Sequence, residues 1–155
     1  MPNMSKHYLL DTNIISYLTD PNSPYRESVK NHLIALTHND TISVSIITLY
    51  ELSYGLHSYK STKDSIELFK QGIHFIEEYL EVLPLDIQEV DIFGKLKAKY
   101  KDATGIQNKA NKKNDLDFLI IATAINHDAI LISNDMIFDK LFEIEPRIKY
   151  ENWVS

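Results

Sequence analysis

The sequence predicts an α/β fold, a central and mainly parallel sheet flanked by helices. Three observations carry this expectation. Short β-branched runs alternate with longer segments of helical spacing, the order that places helices on both faces of a parallel sheet. One helical segment, residues 118–125, is apolar on every side and reads as a buried helix. No linker, internal repeat or low-complexity tract divides the 155 residues, so one domain over 1–155 is expected. A chain of that length hides roughly 68–70% of its unfolded surface, enough for a core without staples.

The first strand is His7–Leu10. Ser23-Pro24 then reads as an N-cap with Pro at the first helical position, ahead of the stripe Val29, Leu33, Leu36. Residues 41–46 are the second strand, and the helix after it carries Glu51 about one turn in. Residues 62–80 form the clearest helix, with Ile66, Phe69, Ile73, Ile76 and Leu80 at steps of three and four. Residues 81–85 are a third strand. Asp86-Ile87-Gln88-Glu89 opens the next helix in capping-box style, continuing through Val90, Phe93 and Leu96. Residues 95–114 are the most polar stretch, and their second half, from about 104, reads as an exposed loop. After the buried helix, residues 129–133 give another strand.

Composition narrows the function. There is no Cys, which excludes disulfides, thiolate metal centres and cysteine nucleophiles and fits a reducing compartment. The apolar run near the N-terminus is too short for a signal peptide before Asp11, and no stretch approaches the ~20 apolar residues of a membrane span. The expectation is a cytoplasmic protein with no membrane partner. A formal charge of −6 argues against a nucleic-acid coating protein, which would present a basic surface. It leaves open an enzyme that meets nucleic acid through a bound cation.

The acidic residues form a pattern on this topology. Asp11 ends the first strand in Tyr8-Leu9-Leu10-Asp11-Thr12-Asn13. Glu51 follows the second strand, Asp117 heads the buried helix, and Asp135 follows Ile130-Leu131-Ile132-Ser133-Asn134. In a parallel sheet, strand C-terminal ends and following helix N-termini share one edge, where ligands bind. Four carboxylates from distant segments therefore converge. Two unit charges roughly 4 Å apart repel by about 4 kcal/mol at an effective dielectric of ~20. Ionised neighbours of this kind call for a cation. Mg²⁺ takes oxygen ligands and leaves positions for phosphate oxygens, and Mn²⁺ suits the same donors. Such a centre supports displacement at phosphorus.

Each acid also has a local reading. Asp11 could cap the next helix, Thr48-Leu49-Tyr50-Glu51 matches a capping box, Asp117 suits a helix first turn, and Asp135 suits a turn.

Taken in order, these motifs resemble the PIN-domain ribonucleases, specifically VapC-type toxins of type II toxin–antitoxin modules. Tyr8-Leu9-Leu10-Asp11-Thr12-Asn13 is similar to the family's first acidic motif, and Ile46-Ile47-Thr48-Leu49-Tyr50-Glu51-Leu52-Ser53-Tyr54-Gly55 to its second. Asp117-Phe118-Leu119-Ile120-Ile121-Ala122-Thr123-Ala124 is similar to the third, and Leu131-Ile132-Ser133-Asn134-Asp135-Met136-Ile137-Phe138 to the fourth. Tyr150-Glu151-Asn152-Trp153 resembles the usual last strand. The resemblance implies a three-layer PIN-like fold and Mg²⁺- or Mn²⁺-dependent cleavage of RNA, often tRNA or rRNA. It also implies a cognate antitoxin that blocks the site, and a homodimer. Asp11, Glu51, Asp117 and Asp135 are then the catalytic and metal-holding residues. Thr12 and Ser133 match hydroxyl positions that orient carboxylates or water, with Asn13 and Asn134 as weaker candidates of the same kind. The connection from Gly105 to Asp117 is longer and more Lys-rich than the family's. Asp115, two residues before Asp117, competes with it for the acidic position; it reads as the N-cap of the buried helix and as a residue supporting the site.

Other residues complete the reading. Lys109, Lys112 and Lys113 are either a solvated face or an RNA-backbone contact. The six His residues show no metal-ligand spacing. Tyr50, Tyr54, Tyr59, Phe69 and Phe75 read as core or interface, with base stacking as the alternative. A haloacid-dehalogenase-type phosphatase would want an Asp where Asn13 stands. A phospho-receiver would want a Lys in place of Ser133, and a dinucleotide-binding enzyme a Gly-rich turn that four Gly cannot supply. The remaining alternatives are a non-catalytic RNA- or protein-binding relative, or a DNA-directed nuclease on the same fold.

Overall fold

The computed structural model describes residues 5–58 and 62–154. Strand β1 (His7–Leu10) leads into α1 (Thr12–Thr19) and α2 (Arg26–Ile34). Strand β2 (Thr41–Ser45) is followed by the helices α3 (Ile46–His57) and α4 (Lys63–Tyr79). Strand β3 (Glu81–Leu83) precedes a 3-10 turn at Ile87–Glu89 and α5 (Val90–Thr104). A short α6 (Asn108–Asn111) and a 3-10 turn (Lys112–Asn114) enter α7 (Asp115–Asn126). Strand β4 (Ile130–Ile132), α8 (Met136–Ile144) and β5 (Lys149–Glu151) complete the chain.

All strand pairs are parallel, in the order β3-β2-β1-β4-β5. Tyr8 of β1 stands opposite Ile42 on one side and Ile130 on the other. The chain leaves β1 toward one sheet edge and later builds β4 on its other side. The C-terminal ends of β1 and β4 therefore form the switch point where such sheets hold ligands.

Two apolar clusters cover the two faces. Leu9 and Leu131 point into one, against Leu96 of α5, Phe118 and Ile121 of α7, and Phe138 and Leu141 of α8. Tyr8, Leu10, Val44 and Ile132 point into the other, against Ile14 and Ile15 of α1, Val29 of α2, Ile76 of α4 and Trp153. The alternation Tyr8/Leu9/Leu10 is the period-two signature of a strand buried on both faces. Each fully buried aliphatic side chain contributes roughly 1.5–3 kcal/mol relative to exposure. Helix α3 serves both layers, with Ile47 in one cluster and Leu52 in the other. It packs close to α4 at Gly55, where an added Cβ would run into the Phe69 ring.

Two local expectations change. Helix α2 starts at Arg26 rather than after Ser23-Pro24. The Ser23 hydroxyl accepts from the Tyr25 N–H and its carbonyl from Arg26 N–H, so Ser23 and Pro24 shape a turn before the helix. The stretch 104–114 is exposed as expected, but most of it is helical and not a loop. Gly105, at φ +68°, ends α5 in the left-handed conformation, and the chain then winds through α6 into α7. Asn111 anchors this passage: it is 1% exposed and its Nδ2 donates to the Lys97 carbonyl at 3.5 Å. The polarity of the stretch does signal exposed lysines, but one buried amide is enough to pin the backbone. Among the described residues no helix is long and apolar enough to cross a membrane.

Candidate active site

Asp11 sits where β1 ends and caps α1, so its cap reading and its site position coincide. Its Oδ1 accepts from Thr12 N–H at 2.8 Å and its Oδ2 from the Ser133 hydroxyl at 2.7 Å. The residue is buried, at 5% exposure. Burial pushes its carboxyl up to about 6, against the pull of those two hydrogen bonds, and Glu51 and Asp135 add to the rise.

Glu51 is placed by a hydroxyl chain. Helix α3 begins at Ile46, capped by Ser45, whose hydroxyl accepts from Ile47 N–H at 3.1 Å. Thr48 therefore lies inside the first turn, fully buried, and the capping-box reading of Thr48 and Glu51 is corrected. The Thr12 hydroxyl donates to Glu51 Oε1 at 2.7 Å. A hydroxyl has one proton to give, so the Thr48 hydroxyl, 3.0 Å away, donates to Thr12. Thr48 → Thr12 → Glu51 thus ties α3 to α1. Sequence reasoning missed Thr48's part; its hydroxyl at a position flanked by Ile47 and Leu49 was the available signal.

Asp117 lies in the first turn of α7. Burial pushes its carboxyl up to about 7, followed by the charges of Asp11, Asp135 and Glu51. The helix dipole favours an anion there by roughly 0.3–1 kcal/mol, and desolvation outweighs it. Asp115 does not act as the expected N-cap. It is already helical, the preceding Asn114 makes no capping bond, and Asp115 Oδ1 pairs with Lys97 Nζ at 2.6 Å.

Asp135 is exposed and caps α8, its Oδ1 accepting from Ile137 N–H at 3.2 Å. One hydroxyl joins it to Asp11. Ser133 Oγ accepts from Asp135 N–H at 3.1 Å while donating to Asp11, and Asn13 Nδ2 approaches the same oxygen at 3.5 Å. Thr12 and Ser133 thus bond directly to acids, and Asn13 reaches them through Ser133.

The four acids therefore share one crevice at the switch point, and the charges acting on Asp117 are all acidic. Their donor chemistry fits a hard divalent cation. Among the described residues no group of three or more His, Cys, Asp or Glu forms a ready ligand cage. Carboxylate oxygens of Asp11, Glu51 and Asp135 accept from Thr12, Ser133 and Ile137. Mg²⁺ commonly takes only one or two carboxylates directly and completes its shell with water, so the set still fits.

The remaining candidates lie elsewhere. Lys109, Lys112 and Lys113 are exposed on the segment leading into α7. Lys95, Lys97 and Lys99 pair with Asp91, Asp115 and Glu145. Phe69 and Phe75 pack beside the core, whereas Tyr50 and Tyr54 are 66% and 78% exposed; Tyr59 lies outside the described residues. His7 bonds the Ser43 hydroxyl and His32 stacks on Trp153.

Known proteins share both sequence and fold with this chain. The PIN-domain profile matches residues 8–143. Ribonuclease VapC2 of Rickettsia felis is 29% identical over 146 residues, covering 94% of this chain and 97% of that protein. The structure of VapBC2 from Rickettsia felis bound to a DNA fragment from their promoter superposes with a TM-score of 0.71 at 30% identity, over 95% of this chain and 98% of that one. VapBC-1 from nontypeable Haemophilus influenzae gives a TM-score of 0.68 at 27% identity, over 96% and 99%. With its carboxylates gathered at the switch point of a five-stranded parallel sheet, this chain belongs to the PIN-domain family, among its VapC-type members.

Proposed function

We propose that this protein is a metal-dependent endoribonuclease, the toxin of a type II toxin–antitoxin pair, and that it cuts structured RNA such as tRNA or rRNA. The observation that supports it most is the gathering of acids aimed by hydroxyls: Thr12 bonds Glu51 at 2.7 Å, Ser133 bonds Asp11 at 2.7 Å, and Asp11, Asp135 and Glu51 all act on Asp117. Asp11, Glu51, Asp117 and Asp135 hold one or two Mg²⁺ or Mn²⁺ ions, directly or through water. When bound, the cation neutralises charge on the phosphate and makes water at the site more acidic. Asp117, raised to about 7, would bind it by giving up a proton it half keeps near neutrality, and Asp11, at about 6, would have less to give up. Thr12 holds Glu51 in line with the crevice, and Ser133 does the same for Asp11. Carboxylate oxygens free of protein donors take the proton of the water that attacks a backbone phosphate; the P–O bond to the ribose oxygen opposite breaks, and that oxygen takes a proton from solvent.

Lys109, Lys112 and Lys113 are the basic rim that meets RNA on an otherwise acidic protein. Replacing all three with Ala should reduce the salt slope of RNA binding by about 2, at ~0.7 for each phosphate no longer neutralised. An unchanged slope removes the rim. The similarity to VapBC structures supports a cognate antitoxin as partner, and the same family membership supports a homodimer.

The test is cleavage of total cellular RNA by the purified chain, with Mg²⁺ or Mn²⁺ and with EDTA, beside Asp11→Asn. Discrete fragments from the wild type alone, lost with EDTA, are expected. Equal cleavage by Asp11→Asn would place the chemistry elsewhere. Cleavage of DNA in place of RNA would change the substrate, and no cleavage of either by folded, cation-supplied protein would favour a binding role.

A further inference from the structure

The C-terminal segment is tied to the turn 133–135 by more than its short strand requires. Ser133 N–H donates to the Glu151 carbonyl at 3.3 Å, and the Tyr150 hydroxyl donates to the Ser133 carbonyl at 3.3 Å. Asn152 Nδ2 donates to Asn134 Oδ1 at 2.9 Å. Asn134 Nδ2 in turn donates to the Tyr17 hydroxyl on α1 at 3.2 Å, and Asn134 N–H to Asn13 Oδ1 at 3.4 Å. The Asn134 side chain is thus held at both ends, one end by α1 and the other by the residue just after β5. Asn152 is itself fixed, since its Oδ1 accepts from Val154 N–H at 2.9 Å. Trp153 locks the segment below: it is 2% exposed, stacks on His32, donates from Nε1 to Glu151 at 3.1 Å, and its carbonyl accepts from the Ser28 hydroxyl.

This clamp grips the turn between the two acids it serves. Ser133 bonds Asp11, and Asp135 follows Asn134 directly. The turn leaves the C-terminal end of β4, an interior strand, and the segment after the short edge strand β5 closes over it from the outer side. Closed amide and hydroxyl networks fix one geometry because every alternative leaves a half-buried polar group unpaired.

We propose that Asn152, acting through Asn134 together with Tyr17, is a positioning residue that sets the divalent-cation affinity of the Asp11–Asp135 side of the crevice. The proposal rests on the nuclease reading above. Groups that orient metal ligands through hydrogen bonds typically change affinity by about 10–100-fold when removed. Asn152 touches neither acid, and its bond to Asn134 reaches Ser133 and Asp135 only through the backbone, so a smaller loss of about 3–10-fold is expected.

The experiment uses the full chain as wild type, Asn152→Ala and Tyr17→Phe, the last removing only the hydroxyl. Mn²⁺ affinity is read by calorimetry or spin resonance, beside thermal unfolding without cation and the kcat and KM of RNA cleavage. Expected is weaker Mn²⁺ binding in both variants, the larger loss in Asn152→Ala, with KM for RNA unchanged at saturating Mn²⁺. Wild-type Mn²⁺ affinity in both variants overturns the proposal, as does a lowered unfolding temperature with unchanged affinity, which marks a structural tie only. A wild type that neither binds Mn²⁺ nor cleaves RNA overturns the nuclease reading itself, a distinguishable result.

Discussion

The two ends of α8 carry carboxylates treated in opposite ways. At its N-terminus Asp135 joins Asp11, Glu51 and Asp117, where acid faces acid. At its C-terminus Glu145, 2% exposed, receives Arg147 Nε at 2.9 Å and N–H at 3.3 Å, and Lys99 Nζ at 2.8 Å. Its carboxyl is drawn down to about 2, first by the Arg147 hydrogen bond. An anion at a helix C-terminus is disfavoured by the dipole, yet here two cations and a backbone N–H more than offset it. Glu89 is likewise buried and satisfied, by Thr123 at 2.7 Å and Asn126 at 3.0 Å. Away from the crevice, Glu145 and Glu89 thus find their partners within the protein. At the switch point, by contrast, burial and neighbouring acids raise Asp11 and Asp117.

The largest effect should come from Asp117→Asn. Cleavage is expected to fall by about a thousandfold, about 4 kcal/mol of barrier, while the cation-free protein at pH 8 becomes no less stable. Near-wild-type turnover by this variant would break the contrast at its functional end.

Glu145→Ala tests the other end. It leaves Lys99 and Arg147 without their partner, and a urea titration should show a loss of about 2–3 kcal/mol, below the roughly 3–5 kcal/mol for broken buried pairs because both cations left behind are half-exposed. Cleavage by the folded protein should persist. Unchanged stability would mean that the pairing carries no weight.

Added Mn²⁺ at about ten times its dissociation constant should stabilise the wild type by ~1.4 kcal/mol, or roughly 3–6 °C. Asp117→Asn should gain much less. Equal shifts would point to cation binding away from the crevice.

The pH profiles give a finer test. Asp11 and Asp117 have folded values of about 6 and 7, above the ordinary 3.8. The folded state binds more protons there, so cation-free stability should fall as pH rises from about 4 to 7. Glu145 lies at about 2 against 4.5, so its contribution should be lost as pH falls from about 4.5 to 2. Asp117→Asn should flatten the first slope and Glu145→Gln the second. Slopes untouched by either substitution would detach these acids from the stability profile.

Much of the site was legible because its acids sit at strand ends and helix starts, places that local patterning marks. Asp11 and Asp135 follow readable strands, and Asp117 opens a helix whose unbroken apolarity announces its burial. Local signals mislead where a side chain has a distant alternative. Thr48 fits a capping box by spacing, but Ser45 takes the cap and Thr48 turns to Thr12. Asp115 fits an N-cap, but Lys97 claims it from α5. The Lys-rich stretch reads as loop until Asn111 finds the Lys97 carbonyl. Asn152 lies in the motif that closes the chain, but nothing local ties it to Asn134, which follows the neighbouring strand.

By itself the sequence determined the alternation of strands and helices, the absence of thiol chemistry, and which four acids a parallel topology would gather. Those follow from hydrophobic period and from the shared edge of strand ends and helix starts, which depend on neighbours along the chain. Only the tertiary structure decided which hydroxyls aim the acids, which lysines are spoken for, and that the last residues clamp the turn before Asp135. Hydrogen bonds and charge pairs choose among partners by distance in space, and chain separation carries no information about that choice.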